Sequence, residues 1–591
     1  MNNIELEKQQ ENKGSAYLYF EPREELSDFV NDRSTIYWLE SKAGYNAFSE
    51  NMVIKGDNLT AMATMRVSWL LTENEKKFDV IYIDPPYNVG GNTGYKNTFK
   101  GQSEGNFGWA GDHGKWLDFM EPRLKMAKLL MKDEGIIFVS ICDQEYARLL
   151  LLMEDIFGES NLIGTFIWDK KQGSPSESIS VVHEYIICFA KNKSKSWKLS
   201  QLKPGCSEII AKSKELVKKY GLEKAQPLLK KWIKEQEKKG NISSGLSPYC
   251  YIHPQSHRVF RDISSCAQDD NGSRCRKPLK HPITGKDCPV PSKGWKWSEE
   301  TLMSMVDYNN VVEYEKGYIC GQIIFGKDHN TVPQKISYLD EKDRQQPPSI
   351  IRTKSSGAGD LPPGVSFPTP KPLELLETLI SFVPSKNIRV LDFFGGSGTT
   401  AHAVLNLNEQ DDGNREYVLI EQVDKFIEEA ILPRLEHVAG KDKFGVFSLA
   451  KKEVDSLDLL RAFQKHAEEF LRTTHSLNHS INYATEGVKV VGYNTSTKTL
   501  VATLTQELRS DKSKTYFRKE MQCLAKSIME TSAVKVILYR IETDNVDREE
   551  PWVGIKSDIF SNTTCEKFTF VSLPSAIIRA WNETLNALEA V

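Results

Sequence analysis

The sequence predicts an α/β protein built on a doubly wound, mostly parallel sheet, with a basic segment inserted between two halves of that sheet. Three observations carry this expectation. Short apolar runs alternate with helical stretches between Asn51 and Ala190, the pattern of a doubly wound sheet. A strand, a glycine turn and a helix start follow one another at Ile388–Thr400. Between these regions the rhythm breaks and the charge turns strongly positive.

At 591 residues the chain exceeds a single core, so several domains are expected. Charged residues make up 27% and hydrophobic ones 39%, the balance of a soluble globular protein. The opening residues are polar, so no secretory signal is read there. No apolar run approaches the ~18 to 20 residues that a membrane span requires. Ten cysteines lie scattered, which fits a reducing cytoplasm and gives a cytoplasmic expectation.

Taken in order, residues 1–50 read as a polar N-terminal arm. Asn51–Leu59 reads as a strand, a glycine turn and a helix cap, with Asp57 and Asn58 at the cap. A helix to about Leu71 leads to the apolar run Phe78–Ile83, a buried strand. Asp84-Pro85-Pro86-Tyr87 ends it, because neither proline can continue the ladder. The turn leaves a carboxylate, a rigid carbonyl and a phenol ring at the strand's carboxyl end, where ligands of open α/β sheets bind. Such a set can grip a flat heterocycle bearing an exocyclic amino group. The Gly/Asn-rich stretch Asn88–His113 reads as a mobile loop beside that site.

Helices at about Trp116–Met131 and Asp143–Phe157 then alternate with strands Gly135–Ile141, Ile163–Trp168 and His183–Ala190. From Lys191 to Lys239 there are 15 lysines against 5 glutamates, a local charge of +10 in a chain whose net charge is −3. The apolar residues there suit two lysine-rich helices broken near Gly221 and Pro227. Asn271–Lys296 adds 7 basic residues against Asp287 alone. A basic middle in an otherwise acidic chain is the electrostatic footprint of a nucleic-acid binder. Cys250, Cys266, Cys275 and Cys288 with His253, His257 and His281 invite a zinc reading. Their spacing contains no C-x2-4-C pair, so no metal is assigned.

In the second half of the sheet, Asp392-Phe393-Phe394-Gly395-Gly396-Ser397-Gly398-Thr399-Thr400 follows a strand and opens a helix. The glycines admit a ligand close to the backbone, and the helix start offers free N–H groups to a carboxylate. No G-x-x-x-x-G-K-[ST] occurs, so a P-loop is not supported. A second strand ends at Glu421, placed to meet a ribose. Beyond Leu449, strands at Lys489–Tyr493, Leu500–Leu504 and Lys535–Ile541 and helices at Asp455–Leu471, Arg518–Glu530 and Pro574–Leu588 suggest an α/β accessory domain.

With DPPY and the FGGSGTT loop both present, the chain resembles the AdoMet-dependent DNA methyltransferases that modify amino groups. The order of the motifs resembles their β class. VIKGDNLTAM (53–62), DPPYN (84–88), FPTPKP (367–372) and GWKW (294–297) look like the Mod subunits of type III restriction–modification systems. The resemblance covers roughly residues 50–450. It implies a seven-stranded Rossmann-like fold with circularly permuted motif order. The domains would be an arm (1–50), the catalytic half (51–192), a target-recognition domain (193–350), the AdoMet-binding half (351–450) and a C-terminal accessory domain (451–591).

The resemblance further implies that Asp84 and the Pro85 carbonyl bond the adenine N6 amino group, while Tyr87 stacks on a base flipped from double-stranded DNA. Lys371 would meet the AdoMet carboxylate, Phe394 and Gly395–Gly398 would shape the methionine pocket, and Glu421 would bind the ribose. Homodimerisation and a separate restriction subunit would follow from the same source. Asp at the first motif position favours adenine N6 over cytosine N4. A stand-alone enzyme, an RNA-directed one and an inactive DNA-binding module are the alternatives.

Overall fold

The computed structural model describes residues 24–32, 35–47, 49–72, 75–88, 113–174, 179–270, 272–453, 471, 488–495, 497–504, 524–525, 528, 531, 533–540 and 567–591. The arm before residue 24, the loop between Asn88 and His113, the helix expected at Asp455–Leu471 apart from Leu471, and most of Arg518–Glu530 lie outside the described residues. The chain forms two compact units, Met1–Lys198 with Pro348–Val591, and Leu199–Pro347.

In the first unit ten strands share one sheet. They are β1 (Thr35–Ser41), β2 (Met52–Lys55), β3 (Phe78–Ile83), β4 (Met131–Ile141), β5 (Leu162–Ser174), β6 (Val181–Ala190), β7 (Ile350–Arg352), β8 (Arg389–Asp392), β9 (Glu416–Glu421) and β10 (Gly445–Glu453). Their spatial order is β1-β10-β2-β9-β8-β3-β4-β6-β5-β7. From β10 to β4 all neighbours are parallel, and β6 runs antiparallel to both β4 and β5. The expected number of strands, seven, is exceeded by three. β1 zips antiparallel along β10, and β7 adds three residues beside β5. Recruiting an edge strand depends on a partner far away in sequence, which local periodicity does not register.

The central strands are apolar because both their faces are covered. Every residue of β3 is buried. Helix α1 (Asn58–Thr72) is buried nearly all round, as a helix between two layers must be. The layer outside it is the terminal helix Leu573–Ala590, whose Ile577, Trp581, Leu585 and Leu588 join the core of the large sheet. The Trp581 ring lies 5.8 Å from Tyr37 and 6.4 Å from Phe29, centre to centre. A second sheet near the chain's end pairs Val488–Asn494, Thr499–Leu504, Lys535–Arg540 and Lys567–Ser572 in that order.

Strand β8 marks the reversal of the sheet. From β8 the chain winds to β9 on one side, while β3 and β4 extend the sheet on the other. Val390 and Leu391 stand opposite Val80 and Ile81, so Asp392 and Asp84 emerge from neighbouring strands at the same edge. That crevice is where doubly wound sheets take their ligands.

The second unit holds a six-stranded antiparallel sheet and the helix α4 (Cys206–Lys238). The helix breaks once, at Gly221 (φ 73°, ψ 164°). Pro227 stays inside the helix, correcting the second expected break: it falls six residues past the kink and forfeits one N–H without ending the helix. Ile209, Leu216, Leu229 and Ile233 face the core while Lys214, Lys218, Lys219, Lys224, Lys231, Lys234, Lys238 and Lys239 are exposed. His253 and His281 serve turns: Nδ1 of each accepts two backbone N–H groups, from Gln255 and Ser256 and from Ile283 and Thr284.

Trp295 of the GWKW stretch is fully buried, and its indole N–H donates to the Lys277 carbonyl at 2.9 Å. Trp295→Ala should therefore destabilise this unit by about 3–5 kcal/mol, the usual loss for a buried large aromatic. Urea denaturation of the full chain should show an earlier transition, and an unchanged midpoint would remove Trp295 from the core of the unit.

Candidate active site

The Asp-Pro-Pro-Tyr turn leaves β3 and is pinned on both sides. The Trp116 indole N–H donates to the Pro86 carbonyl at 2.7 Å. Asn88, in the left-handed region at φ 58°, donates from its side chain to Glu145 Oε1 at 2.7 Å. His113 Nδ1 reaches the same carboxylate oxygen at 2.6 Å. Glu145 belongs to α3 (Asp143–Phe157) and His113 opens α2 (His113–Leu130), so one buried carboxylate fixes both.

Asp84 and Tyr87 are brought together with three residues the motif does not contain. The Tyr87 hydroxyl donates to Asp84 Oδ1 at 2.6 Å and lies 3.0 Å from Glu184 Oε2. Lys371 Nζ lies 2.7 Å from Asp84 Oδ2 and 3.2 Å from Glu184 Oε2, and donates to the Tyr87 hydroxyl at 2.9 Å. Lys170 donates to the other Glu184 oxygen at 2.9 Å. The Lys371 ammonium also sits 5.0 Å from the centre of the Tyr87 ring and 5.8 Å from that of Trp168. Two carboxylates thus face two ammonium groups, and the ammonium of Lys371 lies over two aromatic rings.

The carboxylates respond oppositely. Although Asp84 keeps 27% of its side chain open, the protein around it pushes its pKa up; Lys371 pulls it back and Glu184 adds to the rise. Burial also raises Glu184, but Lys371 and Lys170 together outweigh it and leave that carboxyl below its ordinary range. Burial opposes the charge of Lys371, yet Asp84 and Glu184 hold its pKa above normal. The cluster therefore keeps an ammonium between the acids.

The sequence reading placed Lys371 at a cofactor carboxylate and assigned only the ring of Tyr87. Here the lysine tip pairs with Asp84, and the tyrosine hydroxyl is bonded to that same acid. The lysine reaches Tyr87 across 284 residues, which no local pattern registers, whereas the hydroxyl–acid bond spans only three residues within the turn. Glu184 and Lys170 were missed. Their only sequence signal is a carboxylate opening an otherwise apolar strand, β6, with lysine on its partner β5.

The glycine loop continues from β8. Asp392 is buried; Oδ1 accepts the Phe394 N–H at 3.0 Å and Oδ2 the Thr400 hydroxyl at 2.5 Å. Burial pushes its pKa up to about 8, against the lowering effect of those two bonds. Gly396 (φ 51°) and Gly398 (φ 75°) take left-handed conformations that bend the chain into α5 (Thr399–Asp411). No side chain caps that helix, so its first N–H groups point into the loop. Glu421, ending β9, accepts from the Gly396 N–H through Oε2 and from Gln422 and Val423 through Oε1. Ser397 and Thr399 share a 2.9 Å contact between hydroxyls, and both meet the fully buried Arg434, at 3.3 and 2.8 Å.

Asp57 and Asn58 bind the loop to its neighbours. Asp57 Oδ1 caps α1 at the Thr60 N–H, and its Oδ2 pairs with Arg123 at 3.0 Å. Asn58 donates to the Phe393 carbonyl at 2.8 Å and accepts from Arg123 at 2.6 Å. Phe393 and Phe394 are buried beside Phe119.

A family model described as "DNA methylase", covering the N6- and N4-type enzymes, matches residues 78–432, more than half of the chain. The chain belongs to this DNA methylase family. It is 30% identical over 414 residues to the EcoP15I Mod subunit of Escherichia coli, covering 64% of this chain and 59% of that one. It is 30% identical over 401 residues to the StyLTI Mod subunit of Salmonella typhimurium, covering 63% and 52%. The type II methyltransferase M.KpnI of Klebsiella pneumoniae is 30% identical over 379 residues, with 62% of this chain and 79% of that protein covered. The chain spans between half and two thirds of the length of the two Mod subunits.

The raised pKa of Asp392 has a stability consequence. A carboxyl whose folded value is about 8 against ~4 unfolded stabilises the fold fully below the lower value. That contribution is lost as pH rises through the higher one. Asp392→Asn should therefore lessen the fall in Tm between pH 5 and pH 9 seen in the wild type. Parallel melting curves with equal slopes would show that Asp392 is already ionised across that range.

Proposed function

We propose that this DNA methylase transfers a methyl group from S-adenosyl-L-methionine to adenine N6 of double-stranded DNA, as the modification subunit of a type III restriction–modification system. The observation that supports it most is the shared edge: an acid–proline–tyrosine turn and an open glycine loop leave adjacent strands, β3 and β8. AdoMet supplies the electrophilic methyl group. The central seven strands from β2 to β5 are read as the methyltransferase sheet, circularly permuted so that the glycine-loop strand β8 follows the strand β3 of the Asp-Pro-Pro-Tyr turn in the chain.

The residues fit that cofactor. The uncapped start of α5 suits a carboxylate, and Arg434, lacking any described partner for one guanidinium nitrogen, adds positive charge behind the loop. Glu421 is held by three backbone N–H groups at the end of β9, where a ribose would meet it. Asp57 and Asn58 brace the loop through Arg123, and Phe393, Phe394 and Gly395–Thr400 wall the methionine end.

The target base leaves the duplex and stacks on Tyr87, which avoids the impossible approach to an amino group inside the helix. Asp84 and the Pro85 carbonyl accept its two N–H bonds, and Pro86 keeps them rigid. The adenine N6 lone pair is delocalised into its ring. Hydrogen bonds that favour pyramidal nitrogen and stabilise its growing positive charge therefore lower the barrier. The exposed lysines of Cys206–Lys238 follow the DNA phosphates, which makes Leu199–Pro347 the target-recognition unit.

A homodimer, a separate translocase/nuclease partner and a cytoplasmic location belong to the same reading. Among the described residues no helix is long and apolar enough to cross a membrane. The match to 79% of M.KpnI favours a second reading, a methyltransferase acting without a restriction subunit. Co-purification from the native host separates the two.

Incubating the purified chain with DNA and methyl-labelled AdoMet, then digesting to nucleosides, should yield N6-methyladenine. N4-methylcytosine would overturn the base assignment, and label in RNA alone the substrate class. Asp84→Ala should abolish transfer while AdoMet binding persists within about twofold. Replacing Lys218, Lys219, Lys231 and Lys234 together should flatten the dependence of log K on log salt by up to about 0.9 per lost phosphate contact. An unchanged slope would place the DNA elsewhere.

A further inference from the structure

Lys371 occupies the position that a target amino group needs. Its nitrogen donates to Asp84 at 2.7 Å and lies over the Tyr87 and Trp168 rings, 5.0 and 5.8 Å from their centres. Trp168 is fixed there, since its indole N–H donates to Thr353 at 3.1 Å. A nitrogen donor bonded to Asp84 against aromatic faces is the arrangement required of an exocyclic amine on a flat base. Two nitrogens cannot occupy it together.

The backbone of Lys371 is not free to withdraw. Prolines flank it, the Thr399 hydroxyl donates to its carbonyl at 3.4 Å, and the Leu373 N–H that follows is held by Asp360 at 2.8 Å. A β-carbon on Gly357 would strike the Pro370 carbonyl, so the opposite side is closed too. Only the four-methylene side chain can move. Releasing a nearly buried ammonium without a partner is costly. Glu184 Oε2 already lies 3.2 Å away, shared with the Tyr87 hydroxyl at 3.0 Å, while Lys170 bonds the other oxygen, Oε1.

We propose that Glu184 is a positioning residue: it receives the Lys371 ammonium when the target amino group takes its place at Asp84. This rests on the methyltransferase reading above. Glu184 touches neither the base nor the methyl donor; it acts by keeping a cation off the acid that must accept the amine. Without it, Lys371 remains on Asp84 as a competitor beside a nitrogen that is becoming positive.

The test uses the full chain, with duplexes carrying the target adenine either paired or mismatched, at the site mapped by wild-type methylation. Binding is measured by anisotropy without cofactor, and turnover separately. In the wild type the mismatch should bind more tightly, because its base enters the pocket at lower cost. Glu184→Gln, which keeps volume, should erase most of that preference and lower kcat/KM at least tenfold, with the Kd for AdoMet changed less than twofold. Lys371→Met alone should leave the preference equal to or above the wild type. The double variant should recover at least fivefold of the preference lost in Glu184→Gln.

A double variant no better than Glu184→Gln would overturn the proposal, because a merely structural glutamate is not rescued by deleting the lysine. So would a Lys371→Met variant that loses the preference. Wild-type protein that methylates no nucleic acid would instead overturn the function itself, a result separable from either variant outcome.

Discussion

The pairing of β8 with β3 is the constraint on which the remainder depends. Four residues in parallel register place Asp392 and Asp84 at one edge although the chain between them spans an entire second unit. Parallel pairing demands a crossover, and two crossovers leaving in opposite directions open a crevice at the point of reversal. The glycine loop and the Asp-Pro-Pro-Tyr turn meet because the sheet reverses there. Strands buried on both faces keep that edge rigid, which matters for chemistry that depends on holding two reactants within bonding distance.

What the sequence disclosed and what it concealed divide along one physical line. The DPPY turn, the glycine loop and the strands leading into them were legible because each follows from residues a few positions apart. Prolines end a strand; glycines admit left-handed φ; a fully apolar hexapeptide belongs inside a sheet. The break at Gly221 was visible for the same reason, whereas Pro227 misled because its effect depends on how far it stands from that break. Glu184, Lys170 and Trp168 gave no comparable sign, and Lys371 was marked only by the resemblance of its motif, for a different role. Their meeting depends on β5 and β6 returning beside β4, and on a proline-flanked segment reaching across from the other half. The edge strands β1 and β7 were hidden likewise, since an edge is defined by the neighbour it finds.

The buried charges obey the same geometry. Asp84 and Glu184 are both enclosed, yet their proton affinities move apart because two lysines attend Glu184 and one attends Asp84. Asp392, also enclosed, is raised to about 8 by burial, which outweighs its two hydrogen bonds. Its bonds to the Phe394 N–H and the Thr400 hydroxyl shape the loop without requiring a full charge. The second acid of this edge, Glu421, stands at the end of β9, where three backbone N–H groups donate to its carboxylate.

Lys371 is the point at which the two halves of the site become one. Its carbonyl accepts from Thr399, whose hydroxyl also meets Arg434 and Ser397 at the start of α5. Its ammonium, five bonds away from the backbone, is shared by Asp84, Glu184 and Tyr87. The backbone end is thus fixed by the glycine loop, and the charged end by the Asp-Pro-Pro-Tyr turn. A residue held in this way cannot follow one motif without bearing on the other. Such a strut couples the two motifs, because a displacement of either is opposed by the other rather than absorbed by a flexible joint.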